Sequence, residues 1–190
     1  GNLIEKLRYG ENPHQESAIY SKTNNLNIEK IHGKQLSYNN YNDIFSALAI
    51  SKSLPNNIGT VIVKHANPCG VSMLKDNIKS YQMALACDPT SAYGGVISCN
   101  FKIKKKLAIE LSKKFLEVIV GNGFDHEAIK ILKKKKNLRL IDATKFIMRD
   151  IVKFNSANGY ILAQSEDLRK FNIKDFEIVS KKKPTKLQLK

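Results

Sequence analysis

The fold is decided by the stretch Val61-Ile62-Val63-Lys64-His65-Ala66-Asn67-Pro68-Cys69-Gly70. Its apolar start is typical of a buried strand, and its Pro and Gly residues indicate a turn after that strand. A lysine and a histidine stand side by side where the strand ends, and α/β folds place their chemistry outside the carboxyl ends of strands. A neighbouring cation favours a neutral, proton-accepting imidazole. Lys64 and His65 are therefore a candidate catalytic pair, and the alternative is a solvent-exposed pair in an ordinary loop.

Predicted strands and helices alternate on both sides of this stretch. The apolar runs predict strands over residues 58–64, 95–99, 117–120 and 138–141. Capping residues predict helices that begin at Asn42, Asn77 and Asp125, the first with Phe45, Leu48 and Ala49 on one face and an end before Pro55. A four-residue spacing of apolar side chains from Ile103 to Phe115 predicts a further helix. This alternation indicates an α/β layered fold with a mostly parallel sheet.

The pattern changes after Asp142. Shorter strands are predicted over residues 147–152, 159–164 and 177–180, as an antiparallel extension. We therefore expect an α/β core over residues 1–142 and a β-rich extension over residues 143–190. The last residues, 186–190, show no closing element, and we expect the chain to be a fragment of a longer protein.

The composition limits the classes of function. With 190 residues and 42% hydrophobic residues, the chain can bury a core of its own. Its apolar runs are shorter than the roughly 18–20 residues of a membrane-spanning helix, so we expect no membrane partner. The three cysteines form no CxxC pair and cannot all pair with one another. A reducing, cytoplasmic location is therefore expected.

The net charge of +15 raises the question of a nucleic-acid partner. Only four of the 32 basic residues are arginine, the residue that usually makes bidentate contacts to bases. The lysines lie in runs, residues 104–106, 133–136 and 181–183, that flank or extend predicted helices. Such runs are typical of a solvated face, so we expect no nucleic-acid partner.

Four segments taken together resemble one family, the bifunctional purine-biosynthesis enzymes, in their transformylase region. The segments are Leu7-Arg8-Tyr9-Gly10-Glu11-Asn12-Pro13-His14-Gln15, Gly33-Lys34-Gln35-Leu36-Ser37-Tyr38-Asn39-Asn40 with Asp43 following, residues 64–70, and Cys87-Asp88-Pro89-Thr90-Ser91-Ala92-Tyr93-Gly94-Gly95. Their order and spacing are highly specific in combination. The resemblance implies the first half of the transformylase region, without the cyclohydrolase domain and the second transformylase half. It also implies a cytidine deaminase-like fold.

The resemblance also implies a reaction. In this family the transformylase moves a formyl group from the cosubstrate 10-formyltetrahydrofolate to the 5-amino group of aminoimidazole carboxamide ribonucleotide, and the cyclohydrolase closes the ring to inosine monophosphate. A homodimer that shares its active site between subunits is implied as well. We expect the 190-residue chain alone to turn over little or not at all, and the alternative is a non-catalytic ribonucleotide-binding module.

The resemblance assigns roles to individual residues. His65 matches the proton acceptor and Lys64 the group that stabilises the transition state. The matching substrate-binding positions are Arg8, Tyr9, His65, Gly94 and Glu117. A guanidinium suits a phosphate and a carboxylate suits ribose hydroxyls, whereas a glycine permits close backbone approach.

Alternative interpretations of these residues are simpler. Arg8 is otherwise a surface arginine near a terminus, Gly94 a turn residue, and Asp88 a residue that ends a helix. A deaminase-like fold, which the resemblance implies, raises the question of a zinc site. No second cysteine follows Cys69 at the required spacing and no glutamate stands two residues after His65, so we expect no catalytic metal.

Overall fold

The computed structural model describes residues 1–148, 152–165, 167, 172 and 175–188. It divides the chain into two compact units, Gly1–Met148 and Arg149–Lys190. The larger unit contains a six-stranded sheet with helices on both faces and a separate two-stranded hairpin, and the smaller unit contains a second hairpin.

The secondary-structure elements follow one another in a simple order. The larger unit comprises β1 (Asn2–Lys6), β2 (Ala18–Ser21), β3 (Glu29–His32), α1 (Tyr38–Ser53), β4 (Gly59–Lys64), β5 (Asn67–Met73), α2 (Asn77–Cys87), β6 (Val96–Cys99), α3 (Lys105–Ser112), β7 (Val118–Gly121), α4 (His126–Leu132) and β8 (Arg139–Asp142). The smaller unit contains β9 (Val152–Ala157) and β10 (Tyr160–Ser165), which pair antiparallel.

The large sheet has the strand order β3-β8-β7-β6-β4-β5. Its core is parallel, since β6, β7 and β8 run in the same direction. The outer pairings are antiparallel: β4 with β6, β4 with β5, and β3 with β8. The predicted α/β class and parallel core are confirmed, but the sheet as a whole is mixed. The reason is the two-residue connection from β4 to β5, because only antiparallel strands can be joined by so short a link.

Helices cover both faces of this sheet. Successive side chains of a strand point to opposite faces, so each central strand contributes to both cores. The face under α1 is built from Tyr41, Ile44, Ala47, Leu48, Val61, Val63, Val96, Val118, Val120 and Ile141. The face under α2, α3 and α4 is built from Ile62, Tyr81, Ala84, Ile97, Leu107, Leu111, Ile119, Ala128, Leu132 and Leu140. This double burial explains why the central strands are unbroken apolar runs rather than alternating ones.

Two helices differ from their predicted bounds. Helix α1 begins at Tyr38 rather than after Asn42, because Ser37 and Asn40 form a reciprocal cap in which each side chain accepts the other's backbone N–H at 3.2 Å. Helix α3 ends at Ser112, so Phe115 lies beyond it and is exposed. The predicted starts near Asn77 and at Asp125 are confirmed. In the described part of the chain, no helix combines the length and apolar content needed to cross a membrane.

Several strands were not predicted from the sequence. Strands β1, β2 and β3 are short and largely polar, and β5 was interpreted as a turn because of Pro68 and Gly70. The predicted strand over 147–152 was wrong at Ile147 and Met148, and residues 149–151 lie outside the described residues. The predicted strand over 177–180 was also wrong, since this segment forms no ladder, whereas the strand predicted over 159–164 is confirmed as β10.

Gly70 lies where β5 packs on α2, and a Cβ atom there would overlap the backbone carbonyl oxygen of Ala84. We expect Gly70→Ala to lower the free energy of unfolding by roughly 1–3 kcal/mol, the usual cost of an added atom in a packed interior. Val71→Ala is the matched control on the same strand, because its side chain is 38% exposed. This control should cost less than about 1 kcal/mol. Urea denaturation followed by circular dichroism measures both, and equal costs would contradict the close packing.

Candidate functional site

The Lys64–His65 pair sits at the tip of a tight hairpin. Lys64 pairs with Asn67, so His65 and Ala66 alone connect β4 to β5. Both have positive φ angles, 52° and 60°. Positive φ at both central residues defines a type I′ turn, which usually takes Asn-Gly because residues with a Cβ are strained there. A strained pair of this kind persists only when its surroundings hold it in place.

Three hydrogen bonds hold the hairpin. Asp43 Oδ1, on α1, accepts the backbone N–H of Ala66 at 2.7 Å. The Asn67 side-chain amide donates to the carbonyl oxygen of His65 at 2.9 Å, and Lys64 Nζ donates to the carbonyl oxygen of Tyr93. The ammonium group of Lys64 is thus anchored at the loop before β6, and the neighbouring His65 is exposed.

The pair borders an open pocket of about 530 Å³. The pocket is lined by Lys64, His65, Asn67, Pro68, Cys69, Asp88, Thr90, Ser91 and Tyr93. Asp88 follows α2 and accepts from Ser91 N–H at 2.9 Å and from Ser91 Oγ at 2.6 Å, and these hydrogen bonds lower the pKa of its carboxyl group. The pocket therefore offers a cationic side at Lys64 and an anionic side at Asp88.

The pair lies at the carboxyl end of β4, as predicted, but at the amino ends of β6, β7 and β8. The cause is the antiparallel pairing of β4 with β6, followed by two parallel pairings. Gly94 precedes β6, Glu117 precedes β7 and Arg139 begins β8. The sheet therefore brings all three to the same end as Lys64.

Gly94 lies directly against Lys64. Its φ is 70°, and a Cβ atom there would lie 3.1 Å from Phe115 Cε1 and 3.4 Å from Lys64 Nζ. Its backbone N–H donates to the Phe115 carbonyl oxygen at 3.0 Å, and the exposed rings of Tyr93 and Phe115 lie 5.0 Å apart. The glycine is required by both its conformation and the close approach of its neighbours.

Glu117 belongs to a polar network at the same end of the sheet. Its Oε2 accepts from Asn40 Nδ2 at 3.0 Å and lies 3.8 Å from Arg139 Nη1. Arg139 Nη2 donates to the Gln35 carbonyl oxygen at 3.3 Å, and the side chain is only 13% exposed. Its Nε is buried without a hydrogen-bond partner in the described structure.

Arg139 was missed by the sequence interpretation, although a signal for it existed. The strands predicted over 117–120 and 138–141 pair in parallel, and residues at their amino ends then become neighbours. In the register that pairs Val118 with Arg139, the arginine lies one position beyond Glu117, close enough for the two side chains to meet.

Arg8 and Tyr9 lie elsewhere. Arg8 borders a second pocket of about 490 Å³, lined by Lys6, Leu7, Arg8, Pro13, His14, Gln15, Glu16, Ser17, Ala18 and Tyr20. Its guanidinium carbon is 5.0 Å from the centre of the Tyr9 ring. The structure therefore brings together Lys64, His65 and Gly94, places Glu117 at the same end of the sheet, and gives Arg8 a pocket of its own.

The cysteines and the acidic side chains are the residue types that could ligate a metal. Among the described residues, no group of three or more His, Cys, Asp or Glu side chains could hold a metal ion. Cys69, Cys87 and Cys99 are all free thiols. Burial raises the pKa of the Cys69 thiol, and it raises that of Cys99 to about 12, so neither is prepared as a thiolate.

The fold and the site define an α/β domain that presents a lysine–histidine pair at an open pocket. Comparison with known proteins identifies its family. A family model described as AICARFT/IMPCHase bienzyme matches residues 1–190, and the chain belongs to this family. The resemblance found in the four sequence segments is thereby confirmed.

Curated relatives agree with the family model. The bifunctional purine biosynthesis protein PurH of Clostridium kluyveri is 40% identical, over 98% of this chain and 37% of the relative. The protein of the same name from Caldicellulosiruptor saccharolyticus is 36% identical over 98% and 37%, and that from Listeria welshimeri is 38% identical over 100% and 38%. The chain thus spans little more than a third of the length of these relatives.

Glu117 and Glu127 form a matched pair for testing the polar network. Their side chains are 44% and 49% exposed, but Glu117 faces an arginine that is 13% exposed, whereas the lysine partners of Glu127 are 59% and 61% exposed. We expect Glu117→Ala to lower the free energy of unfolding by roughly 1–3 kcal/mol, because it leaves a largely buried guanidinium without its carboxylate partner. Glu127→Ala should cost less than about 1 kcal/mol. Urea titrations that gave the two variants equal stability would contradict this network.

Proposed function

We propose that this chain supplies the catalytic pair of a folate-dependent formyl transfer, as the first half of the transformylase region of a bifunctional purine-biosynthesis enzyme. The substrates are 10-formyltetrahydrofolate and the 5-amino group of aminoimidazole carboxamide ribonucleotide. The parent protein also closes the ring to inosine monophosphate. The observation that carries the proposal is the strained hairpin that presents Lys64 and His65 at the edge of the 530 Å³ pocket. Family membership over the whole chain supports it.

The chemistry needs both members of the pair. The 5-amino group is a weak nucleophile that loses a proton as its nitrogen bonds to the formyl carbon, and His65 accepts that proton. The formyl oxygen gains negative charge in the tetrahedral intermediate, and the ammonium group of Lys64 stabilises it. When the intermediate collapses, the bond to the folate nitrogen breaks and that nitrogen takes up the proton that His65 had accepted. The hydrogen bond from Lys64 to the Tyr93 carbonyl oxygen holds the ammonium group beside His65 before substrate arrives.

Four residues outside this pair are proposed to bind the nucleotide. Gly94 lets the backbone of its loop approach the substrate, and Glu117 accepts hydrogen bonds from the ribose hydroxyls. Arg8, stacked on Tyr9, holds the 5′-phosphate. Family membership and the position of Gly94 and Glu117 at the Lys64 end of the sheet support these assignments.

The fold family, the oligomeric state and the cellular location of the parent protein are part of the same proposal. The order β5-β4-β6-β7-β8, with β4 reversed and helices on both faces, supports a cytidine deaminase-like fold. We propose a homodimer that shares its active sites, which is supported by family membership and by the separation of the Arg8 pocket from the Lys64–His65 pocket. The three free cysteines support a cytoplasmic location. The reaction as written uses no catalytic metal.

His65→Ala in the full-length protein should lower the single-turnover rate of formyl transfer roughly 100-fold or more, the usual scale for loss of a general base. Single turnover isolates the chemical step from any change in KM. Lys64→Ala should slow the same step, and the double variant should lose less than the two single losses combined because the pair acts as a unit.

The matched control is His126→Ala. His126 is exposed and begins α4, which follows the carboxyl end of β7 and so lies at the opposite end of the sheet. We expect this variant to keep its single-turnover rate. A His65→Ala protein with a near-normal rate would overturn the assignment of the base.

Arg8→Ala in the full-length protein should weaken binding of the ribonucleotide by roughly 1.5–3 kcal/mol, the range for a hydrogen bond to a charged group. Arg8→Lys keeps the charge but loses the planar fork, so it should recover only part of the affinity. Calorimetric titration measures all three proteins. Unchanged affinity in Arg8→Ala would remove Arg8 from the phosphate site.

A further inference from the structure

One hydrogen bond joins the Lys64–His65 hairpin to helix α1. Asp43 Oδ1 accepts the backbone N–H of Ala66 at 2.7 Å, although Asp43 and Ala66 are 23 residues apart in the chain. We propose that Asp43 is the positioning residue of the catalytic pair: its carboxylate keeps the His65-Ala66 turn in the left-handed conformation that aims His65. This inference rests on the proposed formyl transfer for its catalytic consequence, but its structural part stands without it.

The turn needs such support because of its sequence. A residue with a side chain is strained in the left-handed region, and here His65 and Ala66 occupy it in succession. A type I′ turn normally relies on glycine, most often as Asn-Gly, to avoid this strain. Other turn types would relieve the strain but twist the strands differently and redirect the imidazole.

Asp43 is well placed to supply the support. It lies on α1, whose start is fixed by the reciprocal cap of Ser37 and Asn40 and whose Ile44 packs on the same sheet face as Val61 and Val63 of β4. The helix and the strand that leads into the hairpin are therefore packed together in one core. A short hydrogen bond to a carboxylate is also about twice as strong as one between neutral groups.

The other two hydrogen bonds of the hairpin do not fix the backbone of the turn to helix α1. Asn67 is exposed and belongs to the hairpin itself, so its hydrogen bond to His65 moves with the turn. Lys64 Nζ reaches the Tyr93 carbonyl oxygen through a long, flexible side chain, so it fixes the ammonium group and not the backbone of the turn. Asp43 is the side chain that ties the turn's backbone to α1.

The catalytic consequence follows from geometry. A displacement of about 1 Å in a reacting group costs on the order of 100-fold in rate. Loss of Asp43 should therefore lower kcat and kcat/KM together and leave KM nearly unchanged, because the hairpin matters most in the transition state.

The first experiment needs no activity. Amide hydrogen exchange of Ala66, measured by NMR on the 190-residue chain, should become at least about 10-fold faster in Asp43→Ala, since the N–H loses a charged acceptor. Asp43→Asn should show a smaller effect, because the amide oxygen still accepts. Asn42→Ala, an exposed neighbour on the same helix, is the matched control and should leave the exchange of Ala66 unchanged.

The second experiment is a double-variant cycle in the full-length protein. Asp43→Ala should reduce the single-turnover rate roughly 10- to 100-fold, in line with the cost of misplacing a catalytic group. In an Ala66→Gly background the same change should cost several-fold less, because glycine adopts the left-handed conformation without strain. General destabilisation of α1 would not be rescued by a glycine in the hairpin.

The outcomes separate this inference from the proposed function. Unchanged exchange of Ala66 in Asp43→Ala, or an equal rate loss with and without Ala66→Gly, would overturn the role of Asp43. If the unmodified full-length protein transfers no formyl group, the proposed function fails. The exchange of Ala66 then decides alone whether Asp43 holds the turn.

Discussion

The direction of β4 is the constraint on which the rest of the structure depends. Val61, Ile62 and Val63 are fully buried between helices on the two faces of the sheet, and β4 pairs with a neighbour on each side. Because β4 runs against β6, its carboxyl end meets the amino ends of the parallel strands. If β4 ran parallel to β6, the hairpin would lie at the opposite end of the sheet from Gly94 and Glu117, and the site would not assemble.

The sequence predicted those parts of the fold that carry strong apolar signals. The central strands β4, β6, β7 and β8 were found within one or two residues, because burial on both faces produces continuous apolar runs. The starts of α2 and α4 were found from their capping residues. The edge strand β3 and the hairpin of β1 and β2 were missed, because short polar strands resemble loops. The direction of β4 relative to β6 could not be predicted from the sequence, since strand pairing depends on contacts between distant segments.

The same distinction applies to the site. Lys64 and His65 were predicted as neighbours at a strand end, and the structure places them together at a pocket. The turn that holds them was not predictable from His-Ala, because neither residue favours the left-handed region and one of the side chains that support it, Asp43, is far away in sequence. Arg139 was missed for a related reason: a charged residue at a strand start gains meaning only from its neighbour on the next strand.

The polar network around Arg139 explains how the amino-terminal segment, which carries Arg8, is connected to the sheet. Arg139 Nη2 donates to the Gln35 carbonyl oxygen, and the Gln35 side chain in turn donates to Glu5 Oε1 at 3.0 Å and to the Lys6 carbonyl oxygen at 3.1 Å. These bonds anchor the segment just before Arg8 at the amino end of β8. Since Arg139 also faces Glu117, one buried guanidinium links the proposed ribose contact to the proposed phosphate contact. Arg8 and Glu117 therefore border separate surfaces, yet the same short chain of hydrogen bonds joins Glu117 to the residues just before Arg8.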